Sequence, residues 1–280
     1  MASLLAVVVA LCCSGCARAM DSTAAQQIPR PRPTAKPKTR RKSRAAPLDL
    51  AAALAPLIRD DGNHFAVAVD DLTTGEQAAY GGNQEFVTAS IVKVDILVTL
   101  LYQAQEAGQA LTAEDQDLAT TMIENSDNDS ASDLYDDVGG AGAIDDANSV
   151  CGLSETTAGT DGYWGLTTTT VDDQLRLLRV ALTRPSPLST ASQEYIQSLM
   201  SHVDADQQWG VTAAADPGTG FMVKNGWLPN PYLWEINSIG EVTHDGQRML
   251  IAVLSDDNAS EASGISLVEA VARAASMAAS

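Results

Sequence analysis

Lysine is almost missing from most of this 280-residue chain: after Leu48 there are only Lys93 and Lys224, beside six arginines. Against those eight cations stand 35 of the 36 acidic residues, a net charge near −27 over the same stretch. A surface so acidic repels nucleic acid and anionic lipid and favours solubility, so no nucleic-acid partner is expected. Arginine supplies surface charge as well as lysine does, but it does not titrate. The two surviving lysines therefore mark places where an amine able to lose its proton is wanted. Cysteine is scarce as well. Cys12, Cys13 and Cys16 fall in the first sixteen residues, which leaves Cys151 alone and excludes a disulfide framework for the rest. Cys151 lies in Val150-Cys151-Gly152-Leu153, an apolar setting that suits a small core residue. His64, His202 and His244 are isolated at the ends of expected elements, which points to surface or capping roles. GxSxG, HExxH, CxxC and Walker motifs are all lacking, and no cofactor or metal is expected.

No apolar run is long enough to cross a bilayer. The longest near the start, residues 4 to 13, suits the hydrophobic part of a secretion signal. Ser14-Gly15-Cys16 then resembles the end of a bacterial lipoprotein signal, in which the cysteine is lipidated and becomes the new N-terminus. The n-region carries no Lys or Arg, and Cys13 stands where such signals usually have Leu or Val. Residues 17 to 47 hold nine cations, eight of them between Arg30 and Arg44 among prolines, and read as a semi-extended tether, either held against anionic headgroups or simply solvated. The expected organisation is thus a signal over 1–16, a linker over 17–47 and one folded domain over 48–280, extracytoplasmic and anchored to the outer face of the plasma membrane through Cys16.

Within the domain, Leu50 to Ile58 has helical spacing, Phe65 to Val69 reads as a buried strand, and Thr73-Thr74-Gly75 turns into a second strand near Gln77 to Tyr80. The stretch from Leu111 to about His202 is almost wholly helical in pattern, with a capping box at Thr112-x-x-Asp115 and a helix from about Thr170 to Ala181. Strands return at Gly220–Gly226, Leu233–Val242 and Arg248–Leu254, before a last amphipathic helix over Gly264–Met277. Two early and three late strands make one five-stranded antiparallel sheet, covered by the terminal helices, with the middle helices as an inserted lobe over about 95–210. The fold class is α+β.

Three short motifs carry chemistry. Ser90-Ile91-Val92-Lys93 opens an apolar helix and sets Lys93 one turn from Ser90. Burying that ammonium costs several kcal/mol unless it is paired or neutralised, and a neutralised amine can take the serine proton. A helix-capping serine with a snorkelling lysine would look the same. Ser126-Asp127-Asn128 follows a helix and, alone, is polar loop punctuation. Lys224-Asn225-Gly226 lies on a strand, where glycine allows a ligand or a backbone to come close, or simply marks a bulge.

In this order and spacing the three motifs resemble those of the penicillin-recognising serine hydrolases, most closely the class A β-lactamase-like branch. Gly165-Leu166-Thr167-Thr168-Thr169-Thr170 also resembles the threonine run that closes that family's Ω-loop. The resemblance implies Ser90 as acylated nucleophile, Lys93 as general base, Ser126 as proton carrier to the leaving nitrogen and Lys224 as the charge that holds Ser126. It implies Asn128, Asn225 and Gly226 as substrate contacts, and the N–H groups of Ser90 and Trp227 as the oxyanion hole. The implied substrate is a β-lactam or a peptidoglycan peptide, taken by a monomeric β-lactamase-like hydrolase; a slow D-Ala-D-Ala-type peptidase and a cell-envelope binding lipoprotein without turnover are the alternatives. Departures are visible too. Asn225 replaces the family's Thr or Ser, Trp234 and Glu235 stand where a cation for the substrate carboxylate is expected, and residues 152–167 lack an ExxLN segment. Glu155, the one glutamate there, is the remaining candidate for a deacylation base. Trp164, Trp209, Trp227 and Trp234 either line a cleft or pack.

Overall fold

The computed structural model describes residues 50–58 and 64–280. The signal, the linker and Cys16 lie outside those residues. Five strands form one antiparallel sheet: β1 (Phe65–Asp71), β2 (Gln77–Tyr80), β5 (Met222–Asn230), β6 (Leu233–His244) and β7 (Gln247–Asn258), in the order β2-β1-β7-β6-β5. Both faces are covered. Phe65, Val67 and Val69 of β1 and Met249, Ile251 and Val253 of β7 pack under α1 (Leu50–Leu54) and α8 (Glu261–Ala279). The alternate residues Ala66, Ala68, Leu250, Ala252 and Leu254 face the helical lobe, as the period of two along a strand requires. The lobe comprises α2 (Lys93–Glu106), α3 (Ala113–Glu124), α4 (Asn128–Asp137), α5 (Gly140–Cys151), α6 (Val171–Leu182) and α7 (Thr190–Met200). Its central element is α2, buried without a break from Lys93 to Leu101. A helix apolar on every side belongs inside, and it fixes whatever precedes it.

The expected α+β architecture is the one observed, with differences in detail. The first helix stops at Leu54 and tightens into a 3₁₀ turn that carries Pro56. The last helix starts three residues earlier than Gly264, at Glu261, because Ser260 and Ser263 form a capping box ahead of it. The late strands run on past Gly226, Val242 and Leu254; Pro229 is tolerated near the end of β5, the edge strand of the sheet. The helical stretch is broken by an irregular loop after α5 and by a two-residue ribbon, β3 (Phe86–Val87) with β4 (Thr168–Thr169). Two-residue strands carry no readable period. Cys151 packs at the margin of the lobe core, its thiol pushed up to about 11 by burial and the charge of Asp95. His202 caps the end of α7 through Ser198 O, and His244 bonds Ala214 O at the end of β6.

Candidate active site

Ser90 sits not in an α-helix but in a 3₁₀ turn, Ala89–Val92, that runs into α2 at Lys93. In a 3₁₀ turn residues three apart eclipse, so Lys93 lies over Ser90, with Nζ 3.1 Å from Oγ. The turn is held from two sides. Thr88 N donates to Thr167 O at 2.8 Å, an extension of the β3–β4 ribbon. Asn237 Nδ2, on β6 and fully buried, donates to Val87 O and Thr88 O at 2.8 and 3.0 Å. Ser255 N donates in turn to Asn237 Oδ1 at 3.1 Å, which ties the nucleophile's turn to the centre of the sheet. No motif pointed to Asn237; only its place opposite Gly226 in the β5–β6 register gives it the role.

Gly226 is where β5 meets that turn. A Cβ there would lie 2.7 Å from Thr88 O, 2.8 Å from Ser90 N and 2.9 Å from Ile91 N, all backbone atoms that cannot swing aside. Gly226→Ala is therefore expected to cost about 1–3 kcal/mol of stability, as overpacking does. Thermal melts check this: an unchanged midpoint would mean that β5 and the turn are not in contact.

Ser126 links the lobe to the sheet. It lies between α3 and α4 with φ +56°, a left-handed backbone unusual for serine, followed by Asp127, whose side chain caps α4 through Ser130 N at 2.7 Å. That cap, with the Lys93 charge as a lesser cause, holds the Asp127 carboxyl below its usual range. Ser126 Oγ lies 3.2 Å from Lys93 Nζ and 2.9 Å from Lys224 Nζ. Lys93 Nζ also donates to Ser126 O at 2.6 Å and Asn128 Oδ1 at 2.8 Å. Both amines are buried, at 0% and 1% exposure. Burial, partly offset by the Asp127 charge, brings Lys93 down to about 7. Burial, then the neighbouring Lys93 charge, puts Lys224 well below its ordinary value. Two amines that share one hydroxyl titrate as a pair, the charge on one opposing the charge on the other.

The neutral form of Lys93 has a definite geometry. Its two N–H groups suit the short contacts to Ser126 O and Asn128 Oδ1, which leaves the lone pair for the Ser90 hydroxyl. The arrangement can therefore accept a proton from Ser90.

A cleft of about 360 Å³ opens over Ser90 between β5 and the loop that follows α5. Its walls are Asn128 and Ser132 on one side, Trp227 and Leu228 on another, and Tyr163, Trp164 and Leu166 across the mouth. None of its lining residues is an acid. The Trp164 ring lies 4.9 Å from Lys93 Nζ, and its Nε1 donates to Ser132 Oγ at 3.1 Å. Glu155 is exposed and outside the cleft, where its backbone N–H binds Asp173 Oδ2 at 2.7 Å. Asp95 does not line the cleft either: it is buried on α2, and burial with the charge of Asp173 pushes its carboxyl up to about 8.

Asn225 is turned away from Ser90. Along β5 the Lys224 and Gly226 positions share one face and Asn225 and Trp227 the other. The Asn225 amide is 1% exposed and donates to Gln207 O at 2.7 Å and Trp209 O at 3.2 Å. The expected carboxylate contact is thus replaced by a clamp on the segment before Gly210, because both amide hydrogens are used there. Trp209 stacks edge-on against Trp227 over the same face, ring centroids 6.1 Å apart.

Residues 49–115 and 104–278 match the family described as "Beta-lactamase enzyme family". A stretch of 175 residues is 29% identical to a protein named "Putative lipoprotein LppW" in Mycobacterium bovis and in Mycobacterium tuberculosis. That match takes in 60% of this chain and 55% of the relative, so the chain spans about half the length of those curated proteins. Among solved structures, a class A β-lactamase from Bacteroides cellulosilyticus superposes with a TM-score of 0.71 at 18% identity, over 82% of this chain and 96% of that one. The TLA-1 extended-spectrum β-lactamase gives 0.73 at 15% identity over 82% and 98%. A substituted PBP-A, in an acyl-enzyme complex with penicillin G, gives 0.70 at 21% identity over 82% and 95%. At these identities the likeness to the solved structures is one of fold.

Proposed function

The chain belongs to the beta-lactamase enzyme family, and from that premise we propose that it is a serine hydrolase that forms an acyl-enzyme on Ser90 with a β-lactam or a related amide, and releases the acyl group slowly. The observation that carries this reading is the pair of buried amines meeting at Ser126, one of them 3.1 Å from Ser90 Oγ. Lys93, neutral, takes the Ser90 proton as Oγ attacks the carbonyl carbon. The N–H groups of Ser90 and Trp227 receive the oxyanion; such donors are worth about 3 kcal/mol each in other hydrolases. Ser126 gives its proton to the departing nitrogen and regains one from the lysine pair. Asn128, at the cleft wall, meets the substrate's side-chain amide.

Slow release follows from what lines the cleft. Water needs a base to attack the acyl group, and no carboxylate is there, while the Trp164 ring covers Lys93. A penicillin-binding, peptidase-like enzyme is favoured over a fast β-lactamase on that ground. Secretion and a lipid anchor on Cys16 belong to the same proposal, supported by the lipoprotein name of the mycobacterial relatives.

Intact-mass spectrometry after mixing with a fluorescent penicillin and a chromogenic cephalosporin tests the reading. A lasting adduct that Ser90→Ala abolishes, with little colour, is expected; no adduct, or rapid colour without one, overturns it. Acylation should also follow pH. Below about 7 Lys93 is protonated and cannot accept the serine proton, so the rate rises as pH passes through that value. A rate flat between pH 5 and 9 would show that the free amine is not required.

A further inference from the structure

Outside the cleft, an unassigned group of metal-ligating side chains sits at the ends of three neighbouring strands. His64 stands just before β1, Asp256 and Asp257 near the end of β7, and Glu235 near the start of β6. His64 Nδ1 lies 3.2 Å from Asp256 Oδ1 and 3.3 Å from Asp257 Oδ2, and the ligand atoms of the three residues all fall within 4.8 Å of one another. One ring nitrogen carries at most one proton, so Nδ1 can donate to only one of the two carboxylates. Among the described residues no lysine or arginine pairs with either aspartate; both pair with His64. Glu235 adds a third carboxyl. It is 7% exposed, its charged neighbours are the same Asp256 and Asp257, and its hydrogen bond comes from the Asn230 side chain. Carboxylates converging on one imidazole, with a further carboxyl behind them, suit a bound cation.

We propose that His64 Nδ1, Asp256 Oδ1 and Asp257 Oδ2 bind a zinc ion, with water as the fourth ligand and Glu235 as a further negative charge behind them. Zinc–nitrogen and zinc–oxygen bonds of about 2.0–2.2 Å place neighbouring tetrahedral ligands about 3.3–3.5 Å apart. The two separations from Nδ1 are already close to that. An imidazole with carboxylates suits zinc better than calcium or magnesium, which prefer oxygen alone. The three side chains are 20%, 30% and 48% exposed, so the ion has a path from solvent. Bound there, it joins the start of β1 to the end of β7. No spacing in the sequence announces this site, because 192 residues separate His64 from Asp256.

Calorimetric titration of the full chain, stripped with chelator, tests the site with zinc chloride and, separately, the chlorides of calcium and magnesium. One equivalent of zinc is expected, at least tenfold tighter than either alkaline-earth ion, with a higher melting midpoint. Asp257→Asn suits the left-handed backbone there, φ +52°, and removes only the contact to His64. It should weaken zinc at least tenfold and leave formation of the Ser90 adduct unchanged; His64→Gln should do the same. Absence of saturable binding, tighter calcium than zinc, or zinc binding that survives both substitutions, as binding to the leader thiols would, each overturns the proposal.

Discussion

Lys93→Met is expected to slow acylation of Ser90 by about 100- to 10,000-fold, the range general-base catalysis supplies. The substitution keeps the side-chain volume and removes the amine 3.1 Å from Ser90 Oγ. The rest of the turn stays anchored by Asn237 and by the Thr88–Thr167 bond, so the protein should fold. Arginine at the same place, which keeps the charge and cannot surrender it, should not restore the rate. Stopped-flow fluorescence with a fluorescent penicillin measures the effect. Lys93→Met acylating within a few-fold of the parent would mean that the proton leaves Ser90 by another route, with Ser126 and Lys224 the groups to consider.

The second large effect is on the other half of the reaction. Trp164→Glu puts a carboxylate where the indole now lies 4.9 Å from Lys93 Nζ, in a cleft whose lining holds no other acid. There it can take a proton from water beside the acyl group, so the adduct's lifetime should shorten by about 100-fold or more. Acylation should change far less, since Ser90, Lys93 and Ser126 keep their contacts. Two outcomes would count against the account: an adduct equally long-lived, or a parent protein that already turns over as fast as the variant.

Much of this was readable in the sequence, for reasons that differ from part to part. The two lysines stood out because a chain so poor in lysine kept them where arginine would have served as surface charge. The sheet could be read because Phe65 to Val69 of β1 and Met249 to Leu254 of β7 are continuous apolar runs buried on both faces, and α2 because Ile91 to Leu101 is apolar but for Lys93, Asp95 and Thr99. What escaped was set by tertiary contact alone. Asn237 is an ordinary strand residue until β6 is laid beside β5. Asn225 is by its motif a substrate contact, yet strand alternation sends its amide to Gln207 and Trp209. Trp164 lies in an irregular loop whose path is fixed by Asp173 and Asp145 from two different helices, through Glu155 N, Thr156 Oγ1 and Ala158 N. The β3–β4 ribbon was too short for any pattern. The zinc site needs three strand ends together, and it remained invisible for the same reason.

The central claim is that an uncharged amine is available beside Ser90 near neutral pH, and the chain's composition makes that directly measurable. It has five lysines, three of them before Leu48. Carbon-detected NMR of protein labelled at the lysine Cε, followed from pH 5 to 11, should show one resonance that titrates near 7 and disappears in Lys93→Met, with three that titrate in the ordinary range near 10.4. All five titrating together near 10.4 would contradict the account.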